Sequence, residues 1–258
     1  MNTYRRQRRD LMPNTAKAYI SIVLAAGAAT LVFAASSFTS ANLSSFAVFL
    51  AFVLAASTLK VRIPGVTGTI SPNFVFLLIC MTVFSFSQVI LASFAAALLQ
   101  SVWRSKSKLQ PIQILFSVAT LMISSAVAFS ISHLALQSIG ASSALPLVLL
   151  AGTLYLSLNT ALVSIVVSLA DGRSFQEVFL ICCETVFPYF FFGIIVTGMA
   201  SSSLTSDKVW QRSALVSPSI VLAYIYFSHR AKNARQLNPG HDIAAADEAE
   251  LMLASSNR

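Results

Sequence analysis

The sequence predicts an all-α protein: a polytopic membrane helix bundle of about eight transmembrane helices, with both termini on the cytoplasmic side. Three observations predict it. Of 258 residues, 56% are hydrophobic and only 10% charged, where ordinary soluble domains carry about 25% charged residues. The apolar residues gather in runs near 18–38, 44–59, 72–84, 86–103, 112–135, 145–170, 187–204 and 213–228. The cations sit in short clusters between those runs, the distribution of residues that set membrane orientation. The +8 net charge therefore marks a partner in the lipid bilayer, and no nucleic-acid partner is expected.

Taken in order, residues 1–17 form a basic N-terminal segment, MNTYRRQRRDLMPNTAK. The apolar run that follows is longer than the 7–15 residues of a cleavable signal segment, so it reads as a retained first helix. Within it, Ala25 and Ala29 form a small-xxx-small pair suited to close helix packing. The second run, 44–59, leads into the loop Lys60–Ser71, where Pro64-Gly65 signals a turn and Gly68 permits another left-handed position. Ser71 is a favourable N-cap, and Pro72 suits the first helical position. The helix opened there is short, because a helix rises about 1.5 Å per residue and about 20 residues are needed to cross the roughly 30 Å hydrocarbon core. It would tilt, thin the bilayer or span only part of it.

Residues 70–103 admit two arrangements, one very long helix or a short and a full helix joined at Phe84–Ser87. Charge selects the second. With eight crossings and a cytoplasmic start, Arg5, Arg6, Arg8, Arg9, Lys17, Lys60, Arg62, Arg104, Lys106, Lys108, Arg173, Arg230, Lys232, Arg235 and Arg258 all fall inside, and only Lys208 and Arg212 outside. A merged helix would send Arg104, Lys106 and Lys108 to the wrong face. The transmembrane domain is thus 18–230, and 231–258 a cytoplasmic tail, disordered or loosely helical. The expected location is a membrane that the chain crosses repeatedly. Residues 185–195, TVFPYFFFGII, echo 69–79, TISPNFVFLLI, as a 4+4 parallel repeat would.

No Asp, Glu, Lys or Arg lies mid-run, and such groups are the usual mark of ion pathways and intramembrane catalysis. The expectation is a non-enzyme without catalytic residues, cofactor or metal. Cys80, Cys182 and Cys183 have no metal-ligand spacing and read as small buried hydrophobes. His133 reads as an interfacial side chain, and Glu184 as a partner for Arg173 or a helix cap. The neutral polar residues inside are Asn73, Gln88, Tyr155, Asn159 and Thr160, with Tyr155 and Asn159 sharing a helix face. They serve either as interhelical hydrogen-bonding groups or as the lining of a site for a small, weakly polar ligand. Lys60, Arg62, Gly65, Gly68 and Ser71, at the start of the third helix, would receive an anion or a cytoplasmic partner.

The stretches KVRIPGVTGTISPNFVF at 60–76, YLSLNT at 155–160, FPY at 187–189 and AYIYFSHR at 223–230 carry a resemblance. The chain resembles the multi-pass N-terminal membrane sensory domains that precede GGDEF and HD-GYP cyclic di-GMP signalling modules in bacteria. The resemblance implies a sensory membrane domain that passes a signal inward, here without a GGDEF or HD-GYP sequence after Arg230. Two functions are therefore expected. One is a sensory or regulatory protein acting on a cytoplasmic signalling partner. The other is a substrate-binding subunit of a vitamin-like transporter, docked to a coupling subunit through patches such as Ala25/Ala29. Self-association into a homo-oligomer is compatible with both.

Overall fold

The computed structural model describes residues 13–38, 42–59, 61–62, 69–70, 73–103, 111–138, 140, 144–203 and 218. The basic segment 1–12, the run 213–228 and the tail lie outside the described residues, Pro218 apart. The elements are α1 (Asn14–Ser36), α2 (Leu43–Thr58), β1 (Val61–Arg62), β2 (Thr69–Ile70), α3 (Asn73–Val83), α4 (Phe86–Val102), α5 (Pro111–Ser138), α6 (Ala144–Asp171) and α7 (Phe175–Ser203). Three helices are long and apolar enough to cross a membrane: α1, α5 and residues Ala144–Ala170 of α6. Helices α2, α3 and α4 are shorter and equally apolar.

The helical expectation holds, with one addition. Val61 and Arg62 pair antiparallel with Ile70 and Thr69, a small hairpin just ahead of α3. The β-branched residues on either side of Pro64-Gly65 favour extended backbone, a signal that the turn residues alone did not carry.

Residues 73–102 form a helical hairpin, not one long helix. The Asn73 Nδ2 group donates to Gln100 Oε1 at 3.0 Å, which brings the start of α3 beside the end of α4. The turn is defined by Ser85, whose side chain caps α4, while Gln88 Oε1 accepts from the Ser85 backbone N–H at 3.1 Å and completes a capping box. The Phe84 ring closes the turn against Phe46 and Phe49 of α2, at centroid distances of 5.4 and 5.1 Å.

The short length of α3 now has a physical account. Every residue from Asn73 to Met81 is buried, because α2, α4, α6 and α7 all pack around it. A helix apolar on all sides belongs in a core. At 11 residues it is about 16 Å long, but it touches protein rather than lipid, so it need not match the bilayer.

Glycines set the closest approaches. A Cβ at Gly27 of α1 would lie 2.6 Å from Ala119 Cβ and 2.9 Å from Ala119 Cα on α5. A Cβ at Gly152 of α6 would lie 2.8 Å from Ile194 of α7, and one at Gly193 would strike the Phe74 ring. The packing stripe of α1 is Ala16, Ile20, Val23, Gly27 and Ala34. Ala25 and Ala29, expected to pack, are exposed: at 100° per residue they sit off that stripe.

The echo between 69–79 and 185–195 does not occupy equivalent places. Asn73 opens α3, whereas Pro188 lies inside α7, which starts at Phe175 and continues for 29 residues. Helix α7 begins with Glu177 in its first turn, paired with Arg173 four residues earlier. Glu184 therefore caps no helix start, and it is exposed along α7. Ahead of this turn α6 is closed by Gly172 in the left-handed conformation, φ +67°.

Candidate functional site

The contacts between helices sort their ends into two groups. At one end, Ser37, just after α1, meets Ser87 of α4 through a 3.0 Å hydroxyl contact. There also the Phe86 ring lies 5.7 Å from Phe129 of α5. At the other end Tyr19 of α1 donates to the Leu162 carbonyl of α6 at 3.0 Å and packs on Phe116 of α5. That second end receives the connections that carry Lys60, Arg62, Arg104, Lys106, Lys108 and Arg173, along with Lys17. Of the connections at the first end, 37–42, 84–85 and 139–143 carry no charged residue, and the chain that follows α7, 204–212, holds Asp207, Lys208 and Arg212. The bundle is thus polar along its axis in the electrostatic sense.

At the cation-rich end lies a buried polar latch. Both hydrogens of the Asn73 amide nitrogen have acceptors: Gln100 Oε1 at 3.0 Å and Ser57 Oγ at 3.4 Å. Ser57 in turn donates to the Val53 carbonyl at 2.8 Å. One side chain therefore ties together α2, α3 and α4. A buried amide left without partners would be costly, so this network fixes the register of the three helices. On the far flank of α3, the Thr197 hydroxyl of α7 donates to the Val75 carbonyl at 3.4 Å.

Gln88 belongs to the capping box at the opposite end of the hairpin, so it shares no site with Asn73. Tyr155 and Thr160 are buried on α6. Asn159 is partly buried, and its Oδ1 is a buried acceptor without a partner; so are the hydroxyls of Ser124 on α5 and Ser164 on α6. Between α4 and α5, Ser93 donates to Ser125 at 2.8 Å. His133 stacks on Phe129 at 4.0 Å, with Nδ1 2.9 Å from the Phe129 carbonyl four residues earlier on the same helix.

Of the residues expected to meet a partner, Arg62 stands in β1; Lys60, Gly65, Gly68 and Ser71 lie outside the described residues. Sequence reasoning did not find Ser57 and Gln100, the partners of Asn73. Gln100, a carboxamide near the end of an apolar 17-residue helix, was a legible signal, whereas a serine such as Ser57 was not. Among the described residues, no three His, Cys, Asp or Glu side chains are grouped to hold a metal ion. What the arrangement does chemically is position helices: its polar groups are neutral, and its directional bonds cross between elements.

Compared with known proteins, the chain matches no protein family, no curated protein and no solved structure.

Proposed function

We propose that this chain is an integral membrane protein of the sensory or regulatory kind, with eight crossings, both termini in the cytoplasm and no catalytic machinery of its own. The location that follows from the charge pattern and the resemblance is a bacterial inner membrane. The observation that carries the reading is the latched α3–α4 hairpin. Its first helix, α3, is surrounded by other helices, and its polar fastening lies at the cation-rich end. By the bias of Lys and Arg toward cytoplasmic loops, that end faces the cell interior. A change in helix packing around α3 would alter the loops at 60–71 and 104–110, and a cytoplasmic partner would read them. The resemblance to the domains that precede cyclic di-GMP modules supports the same reading.

The experiment is photocrosslinking in intact membranes from residues 62 and 106. The expected result is a cytoplasmic protein captured from both positions, and captured less when Asn73→Leu opens the latch. Capture of none would overturn the reading, as would labelling of Lys106→Cys by an impermeant thiol reagent applied from outside.

One observation favours a second reading, a solute-binding subunit of a transporter. The partnerless acceptor Asn159 Oδ1, with Ser124 and Ser164, would suit a small neutral ligand that donates hydrogen bonds. Native mass spectrometry of the gently extracted protein separates the two, because a retained small molecule lost on Asn159→Leu is expected only of the second.

A further inference from the structure

The outward face of α7 is an apolar stripe with one carboxylate in it. Leu180, Phe187, Phe191 and Ile195 follow one another at helical spacing and are exposed by 51, 57, 54 and 45%. The Phe187 and Phe191 rings stack at 6.0 Å along that stripe. Between Leu180 and Phe187, on the same stripe, stands the exposed carboxylate of Glu184. Lipid tails would suit the apolar members, but a carboxylate facing hydrocarbon is strongly disfavoured. The stripe calls for an occupant that is apolar over most of its length and cationic at one end.

The chain itself contains that sequence. Beyond Ser203 a connector of only nine residues, Leu204–Arg212, precedes the apolar run SALVSPSIVLAYIYFS at 213–228, which is followed by Arg230 and Lys232. A connection this short makes the next helix an antiparallel neighbour of the one before it. Folding back about Lys208, the midpoint of the connector, sets Phe191 level with Ile225, and Glu184 level with Lys232, which lies seven residues on from Ile225 and so on the same helix face. We infer that residues 213–232 dock along the Leu180–Ile195 stripe of α7, with Glu184 paired to Lys232 at the cation-rich end. The inference rests on the eight-crossing topology proposed above. It makes Glu184 the residue that fixes how the last helix, and whatever it carries into the cytoplasm, is set against the bundle.

The test uses the full chain in membranes, with Cys80→Ala, Cys182→Ser and Cys183→Ser. Oxidation of Phe191→Cys with Ile225→Cys is expected to give an intrachain disulfide. Phe191→Cys with Ala223→Cys, turned to the opposite face, is expected to give less than a tenth as much. A disulfide formed only between chains would assign the stripe to a second copy and overturn the inference, and so would equal yields from both pairs. In parallel, Glu184→Lys is expected to lower the membrane level of the protein severalfold, and Lys232→Glu in the same chain to restore it within twofold. A harmless Glu184→Lys, or no restoration, would also overturn it. Asn233→Cys separates the two layers. Labelling from outside would refute the topology, whereas protection from outside with no intrachain disulfide refutes the docking alone.

Discussion

Gly27→Ala adds one methyl group at the crossing of α1 and α5, and the structure sets its cost. The new Cβ would sit 2.6 Å from Ala119 Cβ and 2.9 Å from Ala119 Cα, whereas carbon atoms rest at about 3.5–4.0 Å. Relief requires the helices to part by about 1 Å, because neither an alanine Cβ nor a backbone atom can turn aside. A gap of that size forfeits between a quarter and a half of the dispersion well for each contact in the Ile20, Val23, Phe116 and Ala119 cluster. Overpacking of this kind costs about 1–3 kcal/mol, and the better helix propensity of alanine returns about 1 kcal/mol. The net expectation is a loss of about 0–2 kcal/mol, and of more for Gly27→Val, which forgoes part of the propensity gain. Ala25→Leu and Ala29→Leu, on the exposed face, are expected to leave stability within about 0.5 kcal/mol. Reversible unfolding in mixed micelles, followed by far-ultraviolet circular dichroism, measures all four. A more stable Gly27→Val together with a destabilised Ala29→Leu would refute the assignment of the packing stripe.

Asn73→Leu removes the latch and leaves Gln100 Oε1 without the donor it has at 3.0 Å; a loss of about 1–2 kcal/mol is expected, with faster hydrogen exchange confined to α3 and α4. Gln88→Ala dismantles the capping box and should cost about 1 kcal/mol, read as fraying of the α4 start by the same exchange measurement. Arg173→Ala breaks an ion pair that is half exposed on both sides, so its effect on the unfolding midpoint should correspond to less than about 1 kcal/mol. Gly172→Ala, at φ +67°, is expected to cost about 1 kcal/mol through left-handed strain.

Much of this fold was legible because membrane helices declare themselves by composition over long windows. The run 112–135 became α5 and 145–170 became α6, with ends displaced by only a few residues. The charge argument for splitting 70–103 also led to the observed hairpin. Failures came where a local signal has two meanings. A proline suits the first position of a helix, yet Pro188 is tolerated inside α7, so the helix holding the run 187–204 starts twelve residues earlier, at Phe175. Ala25 and Ala29 made a recognisable spacing on the wrong side of α1, because which face of an apolar helix is buried depends on its neighbours. Asn73 was found as a residue of consequence. Its partners were not, since Ser57 and Gln100 meet it only once three helices are assembled.

The burial of α3 carries a consequence for biosynthesis. Its walls include Gly152 of α6 and Thr197 of α7, more than a hundred residues downstream of Val75 in the latter case. A growing chain therefore releases the α3–α4 hairpin with one flank open and must hold it so until α7 has been made. Completion of the core belongs to the last stages of insertion, and a ribosome that stalls before Gly193 leaves behind an unfinished groove rather than a smaller bundle.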